Sequence, residues 1–251
     1  MRLAQITKIY DMHCHAYEFD LNEIMEILEK APNLRIVAVS DDLESFHKTL
    51  ELHEFFPEKI IPCAGFHPWN IGNRSLHEVE EIIRQAYKYG VSCIGEVGLD
   101  KKFVDPNTWP TQKTIFTRFL QVARELDAYV TVHSPYAWRE ALTLMVETGV
   151  EKAMFHWYTG PLNLIDEITS SGYYISINPA LKIQSKHRRV AEYTPLEHMV
   201  FESDGPYNYR GLRLSPLMIH ETIEEIASLK KVSVNTVLSY ASLNSERLLY
   251  G

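Results

Sequence analysis

Short apolar runs recur along the chain at regular intervals, and longer segments with helical periodicity separate them. The runs span residues 8–13, 34–39, 60–66, 91–96, 128–133, 152–156, 173–177 and 198–202. Apolar runs this short and this continuous are typical of parallel strands that are buried on both faces. The pattern therefore predicts the strands of one buried parallel sheet.

The segments between the runs carry helix signals. Asp20 precedes Glu23 by three residues, which is the spacing of a capping box at a helix start. Within residues 112–126, apolar side chains recur at i, i+3, i+4 and i+7, and this pattern predicts an amphipathic helix. Two more helical segments are predicted near residues 216–229 and 233–240, followed by a short terminal turn.

Eight strand–helix units in 251 residues match the size of a closed (β/α)8 barrel. We therefore predict an α/β chain with one TIM-barrel domain over residues 1–251. An open, doubly wound sheet is the structural alternative. It is disfavoured because no glycine-rich phosphate loop follows the first strand. Residues 101–111 form the longest irregular segment, and we expect them to be an active-site loop.

Composition and charge narrow the classes of function. The net charge of −8 argues against a large basic surface for duplex nucleic acid, although metal ions can supply local positive charge. No stretch approaches the roughly 20 apolar residues of a membrane span, and residues 1–8 lack the apolar core of a signal peptide. Cys14, Cys63 and Cys93 lie in predicted strands, where we expect buried thiols and no disulfide framework. We expect a cytoplasmic protein without a membrane partner.

The candidate chemistry lies at the carboxyl ends of the predicted strands, which in a (β/α)8 barrel face the catalytic mouth. His13 and His15 are two positions apart, so their side chains leave the same face of the first strand. The residues that share a position at or just past a strand end are His13, His15, His67, Glu96, His133, His156 and Asp204. Grouped polar side chains are costly to bury without partners, so their recurrence predicts one common site.

The donor set predicts metal binding. Nitrogen and carboxylate donors without thiolates suit Zn²⁺ or Mn²⁺, whereas Mg²⁺ prefers oxygen donors. The set is large enough for two ions, and we expect Glu96 to bridge them in a hydrolytic site. Cys14 points away from its two neighbours by strand alternation and is excluded as a ligand. We expect Glu202, two residues before Asp204, to orient a ligand or the attacking water.

Several segments, taken in order, resemble the TatD family of metal-dependent hydrolases within the amidohydrolase-like barrel superfamily. The matching segments are Asp11-Met12-His13-Cys14-His15, Gly65-Phe66-His67-Pro68, Gly95-Glu96-Val97-Gly98-Leu99-Asp100, Val132-His133, Phe155-His156-Trp157-Tyr158-Thr159-Gly160 and Phe201-Glu202-Ser203-Asp204-Gly205-Pro206. The match spans nearly the whole chain. The fourth-strand and eighth-strand segments are specific, whereas a His-x-His pair alone is not.

The resemblance implies a two-metal hydrolase, often a deoxyribonuclease that acts from a 3′ end. The metal ligands that it implies are His13, His15, Glu96 and Asp204 for one ion, and Glu96, His133 and His156 for the other. It implies that Asp204 is also the general base for the attacking water, with Glu96 as the second catalytic residue. It further implies that His67 contacts the substrate. The expected cofactors are two divalent ions per chain, Zn²⁺, Mn²⁺ or Mg²⁺, and the expected partner is DNA.

The substrate-facing part departs from the family pattern. Family members usually carry an arginine two residues after the strand-5 histidine, whereas Ser134 and Pro135 follow His133 here. The phosphate contact of that arginine is either lost here or replaced by Arg139 or Tyr136. Cations in the predicted mouth loops can meet phosphates, and aromatic residues can stack on bases. The cations are Lys101, Lys102, Arg139, Arg210 and Arg213, and the aromatic residues are Trp69, Trp109, Trp157 and Tyr158.

Two other functions remain open at this point. One is hydrolysis of a small amide, lactone or ester on the same metal pair, since barrel folds change chemistry by changing loops. A narrow closed pocket would support that reading, and an open groove would support a nuclease. The other is a non-catalytic metal-binding scaffold. The pattern leaves the natural substrate, the native metal and the oligomeric state open.

Overall fold

The computed structural model describes residues 8–72 and 75–251 of the chain. Its main sheet has eight parallel strands in sequence order. They are β1 (Ile9–Cys14), β2 (Leu34–Ala38), β3 (Ile60–Ala64), β4 (Cys93–Gly98), β5 (Tyr129–His133), β6 (Ala153–Phe155), β7 (Tyr174–Ile177) and β8 (Met199–Phe201). The (β/α)8 prediction is confirmed. The prediction about a signal peptide in residues 1–8 falls, apart from Lys8, outside the described residues.

A helix follows each strand in turn. The helices are α1 (Leu21–Lys30), α2 (Leu43–Phe55), α3 (Ser75–Tyr89), α4 (Trp109–Leu126), α5 (Trp138–Thr148), α6 (Leu162–Ser170), α7 (Ser185–Tyr193), α8 (Ile219–Lys230) and α9 (Val234–Tyr250). α1 begins with the predicted capping box, in which the Asp20 carboxylate accepts from the Glu23 N–H at 2.9 Å. Among the described helices, none combines the length and the apolar character that a bilayer crossing requires.

The barrel closes where β8 returns beside β1. The Asp204 N–H donates to the His13 carbonyl oxygen at 3.0 Å, and the His15 N–H donates to the Gly205 carbonyl oxygen at 2.9 Å. These two hydrogen bonds lie at the carboxyl ends of the strands. The first and last strands are therefore joined at the level where the candidate ligands lie.

Two apolar layers support this end of the barrel. The inner layer fills the barrel and includes Tyr10, Met12, Val37, Val39, Cys63, Cys93, Tyr129, Met154 and Val200. The outer layer packs between the strands and the helices and includes Phe46, Phe116, Phe119, Phe155 and Ile223. Protein interiors of this kind are close-packed. The side chains at the barrel mouth therefore pack against residues that have little freedom to shift.

Cys63 and Cys93 correct the expectation of unpaired thiols. They are direct partners in the register of β3 and β4, with Cα atoms 4.5 Å apart, and the structure joins them in a disulfide. Their adjacency arises from strand pairing, which a sequence separation of 30 does not reveal. Within the described ranges Cys14 is free and buried, and its thiol donates to the Gly205 carbonyl oxygen rather than facing the histidines.

The segment after β8 differs from the prediction in two ways. A short antiparallel hairpin, β9 (Asn208–Tyr209) and β10 (Leu212–Arg213), precedes α8. α9 continues to Tyr250 instead of ending at Tyr240, because its last turns still bury Leu248 and Leu249 against the inner layer.

We predict that Gly98→Ala destabilises the barrel. Gly98 has a φ of +155°, and a Cβ placed there would lie 1.9 Å from the His133 carbonyl oxygen on β5. Relief requires β4 and β5 to separate, so we expect the free energy of unfolding to fall by about 2–4 kcal/mol. Urea denaturation followed by circular dichroism measures this loss. Gly72→Ala is the matched control, because no atom that the structure describes, apart from its chain neighbours, lies within 4 Å of its added Cβ. Equal midpoints for the two variants would contradict the prediction.

Candidate metal centre

The carboxylate of Glu96, at the end of β4, occupies the middle of the barrel mouth. Its Oε2 lies 3.3 Å from His13 Nε2 and 3.4 Å from His15 Nε2. Its Oε1 lies 2.7 Å from His133 Nδ1 and 3.3 Å from His67 Nε2. The two oxygens therefore face different pairs of histidines. Strands β1, β4 and β5, together with the segment just after β3, bring these residues together.

Asp204 completes the group from just past β8. Its Oδ1 lies 3.4 Å from the Nε2 atoms of both His13 and His15 and 3.7 Å from His156 Nε2. Its backbone has a φ of +56°, a left-handed conformation that is uncommon for a residue with a side chain. The imidazole rings of His13 and His156 stack with centroids 3.8 Å apart. All of the metal ligands predicted from the sequence thus lie in one cluster.

Two of the histidines are held by a group on the side opposite the cluster. His13 Nδ1 lies 2.8 Å from Thr131 Oγ1, and His133 Nε2 lies 2.9 Å from Asp100 Oδ2. Such partners fix the tautomer and the orientation of a histidine, and they are usual around metal-binding histidines. The other ring nitrogen of each residue is left facing Glu96.

His15 and His156 have the same arrangement. His156 Nδ1 lies 2.9 Å from Glu202 Oε2, and His15 Nδ1 lies 3.4 Å from Asp41 Oδ2. Glu202 is fully buried and also accepts from the backbone N–H of Trp157 at 2.9 Å. Glu202 therefore orients His156, whose Nε2 faces the cluster.

The donor atoms suit divalent cations. Within the described part of the chain, the buried Nε2 atom of His13 has no hydrogen-bond partner, and it faces the carboxylates of Glu96 and Asp204. Several sets of three donors have their ligand atoms within 4.8 Å of one another: His13, His15 and Glu96; His13, His156 and Asp204; and His67, Glu96 and His133. Nitrogen and oxygen donors without sulfur match Zn²⁺ or Mn²⁺. The residues present therefore fit the metal ions that the sequence implies.

The histidines of the cluster stabilise the negative charge of its buried carboxylates. Burial alone would raise the pKa of Glu96, but the facing His67 and His13 outweigh burial and hold that pKa well below its usual range. For Glu202 the same competition, dominated by His156, lowers the pKa to about 2. Burial lowers the pKa of His13. Both carboxylates are thus ionised at neutral pH, which is the form that binds cations.

A cavity of about 430 Å³ opens above the cluster. Seven aromatic residues line it, namely Trp69, Phe103, Tyr136, Trp138, Trp157, Tyr207 and Tyr209. The expected substrate contacts that line the cavity are His67, Trp69, Lys102, Tyr136, Trp157 and Arg210. The structure therefore brings these six to the place where a substrate would lie.

Five expected substrate contacts do not line this cavity, namely Lys101, Trp109, Arg139, Tyr158 and Arg213. Tyr158 is fully buried in the outer apolar layer, and its hydroxyl donates to the Pro161 carbonyl oxygen at 2.8 Å. Arg139 pairs with Glu167 on the surface. Arg213 pairs with Glu23, with 2.8 Å between Nη1 and Oε1. Sequence position places Tyr158 and the two arginines near the mouth, but packing and ion pairing turn them elsewhere.

Some residues that contact the candidate ligand histidines were not predicted from the sequence. Asp41 and Thr131 hold histidines, yet neither stands at a distinctive spacing from its partner along the chain. Asp100 was noted only as part of a motif, although it joins His133 to the indole N–H of Trp69 at 2.8 Å. Its place directly after the β4 motif is the one signal that could have suggested this role.

Known proteins are similar to this chain over nearly its full length. A family model described as TatD related DNase matches residues 10–250. The human protein named Deoxyribonuclease TATDN3 is 29% identical over 266 residues, which cover 99% of this chain and 96% of that protein. The Escherichia coli protein named Uncharacterized metal-dependent hydrolase YcfH is 28% identical over 259 residues, with 96% of each chain covered. The crystal structure of YJJV, a TatD homolog from Escherichia coli, has a TM-score of 0.87 at 21% identity and covers 98% of this chain and 99% of that one, a likeness of fold.

A buried histidine supports the cluster from behind. His187 Nδ1 lies 3.1 Å from the Tyr158 carbonyl oxygen, and His187 Nε2 accepts from the Asn178 N–H at 3.1 Å. The Asn178 side chain in turn donates to Glu202 Oε1 at 3.2 Å. Burial lowers the pKa of His187 to about 4, and the nearby His156 acts in the same direction.

We predict a loss of stability on acidification that depends on His187. Its pKa is depressed in the folded state, so its contribution is intact above the unfolded value of about 6.5 and is lost as the pH falls toward about 4. Between pH 8 and pH 5 the loss is about 2 kcal/mol. Urea unfolding at both pH values measures this change. In His187→Gln the free energy of unfolding should fall between pH 8 and pH 5 by about 2 kcal/mol less than in the wild-type protein. The exposed His77→Gln is the control, and identical pH dependences in all three proteins would contradict the assignment.

Proposed function

The chain belongs to the TatD related DNase family of metal-dependent hydrolases, and from that premise we propose that it is a two-metal phosphodiesterase that hydrolyses DNA from a strand end. The observation that supports this proposal most is the position of Glu96. Its Oε2 faces His13 and His15, and its Oε1 faces His133. A carboxylate with each oxygen directed at a separate set of nitrogen donors suits a bridge between two cations.

The distances join His13, His15 and Asp204 to the Glu96 Oε2 side, where Asp204 Oδ1 lies 3.4 Å from both imidazoles. We follow the family resemblance in joining His133 and His156 on the other side. The Nε2 atom of His156 lies 3.9 Å from Glu96 Oε1 and 3.7 Å from Asp204 Oδ1, so it lies between the two groups. The donor chemistry favours Zn²⁺ or Mn²⁺ over Mg²⁺.

The protein's own groups account for the proton and for the orientation of the substrate. Bound divalent ions would supply the positive charge that makes water acidic and that stabilises negative charge on a phosphoryl oxygen. Asp204 borders the cavity and accepts the proton of the attacking water. The Trp69 N–H donates to His67 Nδ1 at 3.1 Å, so a neutral His67 carries its proton on Nε2. That nitrogen lies 3.3 Å from Glu96 Oε1 and from His133 Nδ1, so the proton faces the candidate ligands, and a substrate meets the rest of the ring at the cavity wall.

The size of the cavity keeps a second function in competition. A volume of about 430 Å³ holds one small molecule or one terminal nucleotide, and it is not an extended groove for duplex DNA. A small ester, lactone or amide could therefore be hydrolysed at the same centre. A strand end fits the same space, and this favours an end-acting enzyme over one that cuts within a duplex.

We predict that Glu96→Gln weakens binding at both ion sites. A neutral amide bridges two cations poorly. Removing a residue that only hydrogen-bonds a metal ligand typically lowers metal affinity by about 10- to 100-fold, and we expect a larger loss here. Metal content after reconstitution and gel filtration, measured by mass spectrometry, tests this. Glu44→Gln is the control, because Glu44 is an exposed residue of α2 that pairs with Lys48. A Glu96→Gln protein that retains two ions per chain would contradict the bridge.

We predict that the reconstituted protein hydrolyses single-stranded DNA in preference to lactones and amides, and that Asp204→Asn lowers this turnover by about 10²–10⁴-fold. The amide keeps the shape of the carboxylate but cannot accept the proton of water. The measurement compares single-stranded DNA, a simple phosphodiester, lactones and amides side by side, with metal content determined on the same samples.

Two outcomes would overturn this assignment. Turnover of lactones or amides alone would replace the nuclease with the small-molecule hydrolase, and binding of metal without any turnover would favour a scaffold. An Asp204→Asn protein that holds both ions and works at the wild-type rate would show that Asp204 is not the base.

A further inference from the structure

The peptide between Gly95 and Glu96 leaves the sheet and reaches across a neighbouring strand. The register of β4 against β5 shifts between Ile94 and Val97, so this peptide lies outside the regular ladder. The Glu96 N–H donates to the Ser40 carbonyl oxygen at 3.0 Å, and the Ser40 N–H donates to the Gly95 carbonyl oxygen at 3.1 Å. Ser40 follows β2, although β3 lies between β2 and β4 in the sheet. The backbone that carries Glu96 is therefore held from beyond β3.

A glycine of the β3 segment allows this crossing. A Cβ placed on Gly65 would lie 2.2 Å from the Gly95 carbonyl carbon and 2.4 Å from the Glu96 nitrogen. On the other side, a Cβ on Gly95 would lie 2.1 Å from Cγ2 of Thr131, the β5 residue whose hydroxyl contacts His13. The peptide that carries Glu96 therefore has backbone on one side and a side chain on the other. It has little room to shift unless β3 or β5 moves with it.

A covalent link joins β3 and β4 directly below this crossing. Cys63 and Cys93 each lie two residues before the glycine of their own strand, and the register pairs them with Cα atoms 4.5 Å apart. Both are fully buried in the inner apolar layer. Glu96 follows Cys93 by three residues along β4. His67 follows Cys63 by four residues, just past the end of β3. The disulfide therefore fixes the separation of the two strands next to residues whose side chains meet at 3.3 Å in the cluster.

Breaking this bond would change the spacing of the two strands. Two thiols cannot approach as closely as two bonded sulfur atoms, so the reduced pair needs more space than the disulfide. Both sulfur atoms lie in a close-packed interior, where extra volume forces neighbouring side chains and backbone to shift. The close contact between Gly65 and the Gly95 carbonyl lies two residues nearer the mouth, so it shifts with the strands. A shift of that contact moves Glu96 relative to the histidines on β1 and β5.

We propose that Cys63 and Cys93 form a redox-sensitive cysteine pair that sets the affinity of the metal centre. In the oxidised form the disulfide holds β3 and β4 at the spacing that directs the two Glu96 oxygens at their histidines, and metal ions bind tightly. In the dithiol form the strands separate, Glu96 is displaced and metal binding weakens. This inference rests on one part of the proposed function, the role of Glu96 as a metal ligand, and it is independent of the substrate.

The redox step is an exchange with a low-molecular-mass disulfide such as oxidised glutathione. One protein thiolate attacks the small disulfide, whose S–S bond breaks, and a mixed disulfide forms as one small thiol is released. The second protein thiolate attacks the mixed disulfide, so that the Cys63–Cys93 bond forms and another small thiol is released. The cysteine pair loses two electrons and two protons, and the two small thiols carry them away. Because both cysteines are fully buried, the exchange requires transient opening of the barrel.

The Zn²⁺ affinity of the two redox forms is the direct test. The metal-free protein is incubated with oxidised or reduced glutathione until its thiol count is constant, and the glutathione is then removed by gel filtration under nitrogen. Alkylation in urea followed by mass spectrometry should find one free thiol in the oxidised form, Cys14, and three in the reduced form. Competition with a chromophoric chelator should show that Zn²⁺ binds about tenfold more weakly to the reduced form, a loss typical of displacing a group that orients a ligand.

Two variants assign the effect to the cysteine pair. In the double variant Cys63→Ala, Cys93→Ala no bond can form, so treatment with oxidised or with reduced glutathione should give the same Zn²⁺ affinity. Cys14→Ala is the matched control, because it removes the third thiol, which donates to the Gly205 carbonyl oxygen and takes no part in the pair. Its oxidised and reduced forms should keep the about tenfold difference of the wild-type protein.

The outcomes distinguish the cysteine pair from the proposed function. Equal Zn²⁺ affinities of the oxidised and reduced wild-type proteins would overturn the role of the pair alone, and so would three free thiols after oxidation. Retention of the difference in the double variant would also overturn it. Failure of both forms to bind Zn²⁺ would overturn the metal centre and the role of the pair with it. A difference in affinity without turnover of any DNA substrate would support the pair, while the phosphodiesterase proposal would fail.

Discussion

The rest of the site depends on one buried carboxylate at the end of β4. Glu96 is 2% exposed, and a charge removed from water to this degree is costly unless partners surround it. Four imidazoles from other strand ends approach its two oxygens within 3.4 Å. Such convergence requires the closed barrel, because only closure brings the ends of β1, β4 and β5 to the same point. The buried carboxylate therefore depends on the closed fold for its partners, and the candidate chemistry depends on the same closure.

The histidines around Glu96 are themselves held from outside by other polar groups. Asp100 behind His133 and Glu202 behind His156 join the candidate ligands to the loops that form the cavity wall. The same carboxylates contact backbone N–H groups of the segments that follow β4 and β6. A displacement of either loop would therefore shift a candidate ligand nitrogen. The shape of the cavity is in this way coupled to the geometry of the cluster.

The parts that could be predicted from the sequence are those with a regular pattern. Every strand of the barrel lies within two residues of its predicted bounds, because burial on both faces leaves an unbroken apolar run. The clustered ligands follow from their positions at strand ends. The β9–β10 hairpin was missed because its strands have two residues each and its Arg-Gly turn is not a common hairpin signal. Tyr158 and the Cys63–Cys93 pair depend on which neighbours a side chain meets in space, and the local pattern does not contain that information.

The join between β8 and β1 has a consequence for the order in which the protein is made. His13 and His15 are translated before Asp204, which follows only after seven further strands and their helices. The two hydrogen bonds of the join link these early and late segments directly at the cluster. A nascent chain therefore has histidines but no complete centre until β8 and Asp204 are translated, and the full donor set is assembled in the same step that closes the barrel.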